Sequence, residues 1–103
     1  MTAPPAAPQP GNRAGREVLR ELENAAAVKR AARQRIADAV AHPSGDTAEL
    51  AAHRAAHDIA TARWVSLLRA ADHDGHPVAV IARAAGVTAA SVHYRLAATP
   101  PAV

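Results

Sequence analysis

Chemistry in this chain is carried by charge and hydrogen-bond donors rather than by nucleophiles. After Asp74 there is no side-chain carboxylate, while Arg83 and Arg95 remain. A segment of that kind approaches phosphate without like-charge repulsion. Upstream, Arg13 to Asp38 holds seven basic side chains against four acids, and Asp46 to Asp74 holds five acids against three arginines. His53 and His57 stand four apart, on one face of a helix, a spacing that suits two metal ligands. His73 and His76 add two more near a chain break. The zinc-protease pattern needs Glu directly after its first His, however, and Arg54 stands there with no third ligand in view. His53 and His57 are therefore expected at the edge of a helix seam or against a second subunit. No metal or other cofactor is expected. Neither a strained nucleophile turn nor a glycine-rich phosphate loop occurs, which points away from an enzyme.

The elements that must position these groups read as helices throughout. Val18, Leu22, Ala25, Ala32, Ile36 and Ala39 recur at helical spacing, flanked by Leu19, Ala26 and Val40, and predict a long helix from Ala14 to Ala41. Lys29 falls inside that apolar stripe. His42-Pro43-Ser44-Gly45 ends the helix, and Asp46 with Glu49 resembles a capping box that opens a second helix to about Asp72. Each helix should span about 40 Å at 1.5 Å per residue, and the short connection favours an antiparallel hairpin of the coiled-coil kind. Counting outward from the turn sets Ile36 near Ala51–Ala52, Lys29 near Asp58 and Leu22 near Val65. Val18, Leu19 and Leu22 then meet Trp64, Leu67 and Leu68 at the open end, where Trp64 and Leu68 should serve both the hairpin and the terminal helices. The turn end is Ala-rich and weakly packed.

Two short helices finish the fold, near Pro77–Ala85 and Ala89–Ala98. Ile81 and Ala82 lie in the first, Gly86 and Val87 at a bend, and Val92 and Leu96 in the second. Pro77 suits a first helical turn, Gly86 a left-handed exit, and Thr88 a cap with Ser91 in the third helical position. That order is the pattern of a helix-turn-helix. The fold class is thus all-α, a long antiparallel helical hairpin followed by a C-terminal helix-turn-helix. The domain reading is a Pro/Ala-rich unstructured tail at 1–13, the hairpin at 14–60 with its second helix continuing to about 72, a trihelical unit at 61–98, and an unstructured tail at 99–103.

The segment I-A at 81–82, A-G-V at 85–87, Thr88, Val92 and Leu96 resembles the helix-turn-helix superfamily of DNA-binding proteins. It is most similar to the trihelical domains of resolvase- and invertase-type recombinases and of small bacterial regulators. The resemblance spans residues 78–97, and 61–97 if Thr61–Asp72 supplies the first of three helices; it leaves the first 60 residues uncovered. It implies that the second short helix enters the major groove of double-stranded DNA. The positions so implied are Thr88, Ala89, Ala90, Ser91, His93, Tyr94 and Arg95. Thr88 and Ser91 would reach phosphate or base edges, Ala89 and Ala90 thymine methyls, and Arg95 a phosphate or guanine, while Tyr94 could instead pack at the helix edge. Recombinase chemistry is not implied, since the chain carries no catalytic domain.

Composition bounds the rest. The chain has 103 residues, a net charge of +3, no Cys and no Phe, with one Trp and one Tyr. Ala makes up much of the 50% apolar content, so the core is thin. A core of this kind gains stability from a partner subunit, and a homodimer reading a two-fold site is expected. No apolar run approaches the roughly 20 residues of a membrane span, and the first twelve residues lack the basic and apolar regions of a signal peptide, so a cytoplasmic protein is expected. The leading expectation is a DNA-binding transcriptional regulator or phage- or plasmid-type accessory factor. Its rivals are a helical scaffold whose hairpin pairs with another chain and, more weakly, membrane-surface binding by the basic helix Arg13–Arg35, against which stand Glu17, Glu21, Glu23 and the lack of an aromatic. The rival of the homodimer is a DNA-binding monomer that uses the basic face from Lys29 to Arg35 for extra phosphate contacts.

Overall fold

The computed structural model describes residues 10–98, with side chains from residue 16 onward. Four α-helices follow one another, α1 (Pro10–Ala41), α2 (Thr47–His73), α3 (Val78–Ala85) and α4 (Ala89–Ala97), and the described residues contain no strand. The fold is all-α, with the two long helices paired as a hairpin and the two short ones set across its open end. α1 begins at Pro10, ahead of the Ala14 start expected from apolar spacing. A proline at the first helical position forfeits only an N–H that has no intrahelical partner. Residues 1–9 of the leading tail and all of 99–103 lie outside the described residues.

The hairpin turn is built by side-chain caps. The Asp46 carboxylate accepts from the Ala48 and Glu49 N–H groups at 3.0 and 3.3 Å. The reciprocal half of the expected capping box does not form. The Ser44 hydroxyl stands between the two acids, accepting from the Asp46 N–H at 3.2 Å and donating to Glu49 Oε2 at 3.1 Å. Glu49 instead turns its other oxygen to His53, 3.6 Å away.

One hydrophobic cluster joins all four helices. Leu22, Ala25 and Ala26 enter from α1, Trp64, Leu67, Leu68 and Ala71 from α2, Ile81, Ala82, Ala84 and Ala85 from α3, and Val92 from α4. Val18, Leu19, Val65, Val78, Val87 and Leu96 pack around it. Trp64, Leu22, Leu68, Ile81 and Val92 are the large side chains fully removed from solvent. Each such burial contributes about 1.5–3 kcal/mol relative to exposure, so these few residues supply most of the hydrophobic stabilisation. The alanines let the helix backbones approach closely. Toward the turn end packing thins: Ala32 is buried, but Ile59 and Val40 are 72% and 58% exposed.

The position of Lys29 departs from the sequence register. Instead of facing Asp58, its ammonium lies 4.0 Å from the centroid of the Trp64 ring. The electron-rich ring face attracts the cation that the lysine stem delivers. His53 and His57 are half-buried, as expected for the seam edge. His57 Nε2 is buried with no hydrogen-bond partner, while its carbonyl accepts from Thr61 Oγ1 at 2.8 Å. Among the described residues no group of three or more potential ligands converges on a metal site, and no helix is long and apolar enough to cross a membrane.

Candidate nucleic-acid interface

The bend between α3 and α4 is fixed by backbone geometry first. Pro77 stands just before α3 rather than within it, and its carbonyl accepts from Val80 and Ile81, each at 3.0 Å. α3 ends at Gly86, whose φ of 73° and ψ of 30° are left-handed. The Gly86 N–H donates to Ala82 O, and the Val87 N–H donates to the same carbonyl at 3.1 Å. The second of these is the long-range bond of a Schellman-type stop, with Val87 packed on the core as its apolar contact. Trp64 Nε1 donates to Ala85 O at 3.3 Å, so α2 satisfies one of the orphan carbonyls at the end of α3.

Thr88 then starts α4. Its Oγ1 accepts from the Ser91 N–H at 3.1 Å and donates to Ser91 Oγ at 3.1 Å. Val92 is wholly buried and Leu96 half-buried, which fixes the rotation of α4 about its axis. At 100° per residue, Ala90 and Tyr94 then point most directly away from the core, with Ser91 and Arg95 on one flank and Ala89 and His93 on the other. At the far end Arg69 of α2 donates to Ala98 O at 3.0 Å and to Arg95 O at 3.5 Å, capping the helix from a neighbouring element.

All seven positions implied by the resemblance, Thr88, Ala89, Ala90, Ser91, His93, Tyr94 and Arg95, are exposed on one short helix. Tyr94 is 74% exposed and does not pack at the helix edge, because the inward turn of Val92 and Leu96 points it away from the core. The hydroxyls of Thr88 and Ser91 are partly committed to the cap. Thr88 has spent its proton on Ser91, whereas the Ser91 proton is left for an outside acceptor. Arg95 lies back along the surface, its guanidinium carbon 5.7 Å from the Trp64 ring centroid. That location suits a phosphate at the rim better than a base edge at the centre.

α1 contributes groups that the helix-turn-helix pattern alone does not include. Lys29, Arg30 and Arg33, with Ala26, form one wall of a cleft of about 210 Å³ whose other wall is Ala85, Gly86 and Val87. A Cβ on Gly86 would stand 3.1 Å from the Arg30 guanidinium. Burial, then the nearby Arg95 and Arg33, hold the Lys29 ammonium below the ordinary lysine pKa. The signal in the sequence was the run from Ala25 to Ala37, which has four cations and no acid; its position beside the bend is a tertiary fact. No family model matches the chain, and no curated protein or solved structure matches it either.

Proposed function

We propose that this chain is a non-enzymatic DNA-binding protein, a transcriptional regulator or accessory factor acting in the cytoplasm, that inserts α4 into the major groove of duplex DNA. The observation that carries this reading is the presentation of α4. Seven exposed side chains without a carboxylate stand on a helix held by a left-handed glycine stop, an N-cap, a buried Val92 and the Arg69 clasp. A rigid helix of that kind is what base readout requires, since phosphate contacts position and base contacts specify. Ala90 and Tyr94 face the base edges, and Arg95 takes a flanking phosphate. Selection of bound sequences from a random duplex pool tests this directly. Enrichment of a short motif, lost when Tyr94 and Ala90 are replaced, is the expected result; an unenriched pool rejects sequence-specific binding.

The exposed apolar side chains of the hairpin favour association with a second chain. Val28, Val40 and Ile59, on the two hairpin helices, are each more than half exposed. We take that partner to be a second copy, giving a homodimer whose half-sites lie about 34 Å apart or a multiple of it. Sedimentation with and without the selected duplex checks the stoichiometry. One protein per site at saturation removes the dimer and leaves the DNA reading in place. A dimer that ignores DNA of every sequence would favour the scaffold role instead.

A further inference from the structure

Two parts of this chain are basic and free of carboxylates, and the fold brings them together. Ala25 to Ala37 carries Lys29, Arg30, Arg33 and Arg35 without an acid, and residues 75–98 carry Arg83 and Arg95 without one. α1 turns Lys29, Arg30 and Arg33 toward the α3–α4 bend, where they line a cleft of about 210 Å³ against Gly86 and Val87. Arg95, in the last turn of α4, stands outside the cleft but shares the Trp64 ring with Lys29, at 5.7 and 4.0 Å. Among the described residues, no carboxylate pairs with any of these four cations and no hydrogen bond uses their head groups. The Trp64 ring meets two of them, Lys29 and Arg95. A thin-cored protein that lines a concave surface with three unpaired cations, and sets a fourth nearby, holds them for an anion from outside.

The location of the cleft says which anion. Val87 is the last residue before Thr88, the cap of α4, so the cleft opens beside the N-terminal end of that helix. A helix lying in the major groove has a phosphate strand running past that end. Resting on the DNA-binding reading of α4, we infer that the cleft is a phosphate clamp. Arg30 and Arg33, with Lys29 behind them, grip the backbone of the duplex strand that borders the groove α4 occupies. The clamp lies on the hairpin, outside the helix-turn-helix, so each copy reads the groove and grips its edge at once. It also gives the bare Gly86 a second role. With no side chain at 86, Arg30 can lie across the bend.

The clamp contacts phosphate and not base, so its loss has a distinct signature. It weakens binding to all sequences alike and flattens the salt dependence. The experiment measures binding of the full chain to a mixed-sequence duplex by fluorescence anisotropy over a range of NaCl concentrations. It compares wild type, R30Q/R33Q, R30K/R33K, and R54Q/R63Q, which removes the same two charges from exposed positions elsewhere on the hairpin. The plot of log K against log salt should become shallower by about 0.9 for each phosphate contact that R30Q/R33Q loses. R30K/R33K should recover most of the slope, R54Q/R63Q should keep it, and the motif selected from a random pool should be unchanged in all four. Arg30 and Arg33 are exposed and unpaired, so the thermal midpoint should not fall. A slope in R30Q/R33Q equal to that of wild type or of R54Q/R63Q overturns the clamp and leaves the α4 reading intact. Wild-type protein that shows no salt-dependent binding overturns both.

Discussion

At Gly86 two constraints fall on one residue, and they separate experimentally. The left-handed φ of 73° excludes β-branched side chains, and any Cβ meets the Arg30 guanidinium at 3.1 Å. The guanidinium is the far end of a flexible side chain and can move, whereas the backbone angle cannot change without opening the bend. Gly86→Val should therefore cost more than about 1 kcal/mol, nearly all of it from φ. The cost should be the same when Arg30 is Ala, as measured by urea unfolding of the four proteins. A cost that disappears in the Arg30→Ala background would place the penalty in the side-chain contact. Lys29 is the second informative residue. Its pKa is lowered by burial and by Arg95 and Arg33, so folding disfavours its charged form. That penalty is present below the lowered pKa and fades as pH rises through it toward the ordinary value of 10.5. Wild type should thus gain stability relative to Lys29→Met between pH 7 and pH 10. A wild type that gains nothing, or loses, relative to Lys29→Met over that range would show that the Trp64 contact outweighs both opposing effects.

At the scale of elements, α4 is too short to be helical alone. Nine residues fall below the roughly 12–15 at which an isolated helix becomes even marginal in water, so its order is borrowed from contacts. The N-terminal contact is local: Thr88 bonds the Ser91 N–H. The C-terminal contact is tertiary, since Arg69 reaches from α2 to the carbonyls of Arg95 and Ala98. Arg69→Met keeps the stem and removes the donors. It should destabilise the fold by about 1 kcal/mol, within the range for a hydrogen bond from a charged group at a partly exposed site. Its first effect should be faster amide exchange at Ala98, whose N–H donates to Tyr94 O in the last turn. Exchange accelerated equally in all four helices would mean that Arg69 supports the whole core instead of fastening one helix end. Because Tyr94 stands on the same helix, the variant should also weaken duplex binding without altering the selected motif.

Across the whole molecule, stability is graded along the hairpin. The large buried side chains Leu22, Trp64, Leu68, Ile81 and Val92 all lie in the cluster at one end, and the other end relies on alanines, Ile36 and Leu50. Leu68→Ala should cost about 2–5 kcal/mol, because the cavity would open where all four helices meet. Ile36→Ala, at a half-buried site, should cost distinctly less. Native-state hydrogen exchange should show the same gradient, with amides of α1 and α2 near residues 36–52 opening at lower free energy than those around Leu22 and Leu68. Uniform protection along both helices would mean that the turn end is covered in solution, which is what a dimer through the hairpin produces. The proposed DNA-reading helix and the basic cleft both stand on the well-packed end.

The sequence by itself determined what depends on near neighbours. Helical spacing marked all four helices, the Gly86 stop and the Thr88 cap were visible as residue types, and the inward turn of Val92 and Leu96 came from period alone. These features are legible because each rests on contacts within about four residues. The gathering of large apolar residues at the open end was also legible, since a short connection leaves an antiparallel pair little choice of register. Only the tertiary structure decided where the long, flexible side chains go. Lys29 reached Trp64 and not Asp58, Arg69 capped a helix 29 residues away, and Arg30 and Arg33 came to line the bend. A side chain with four rotatable bonds samples many partners, and its choice depends on burial and electrostatics that exist only after the helices have packed.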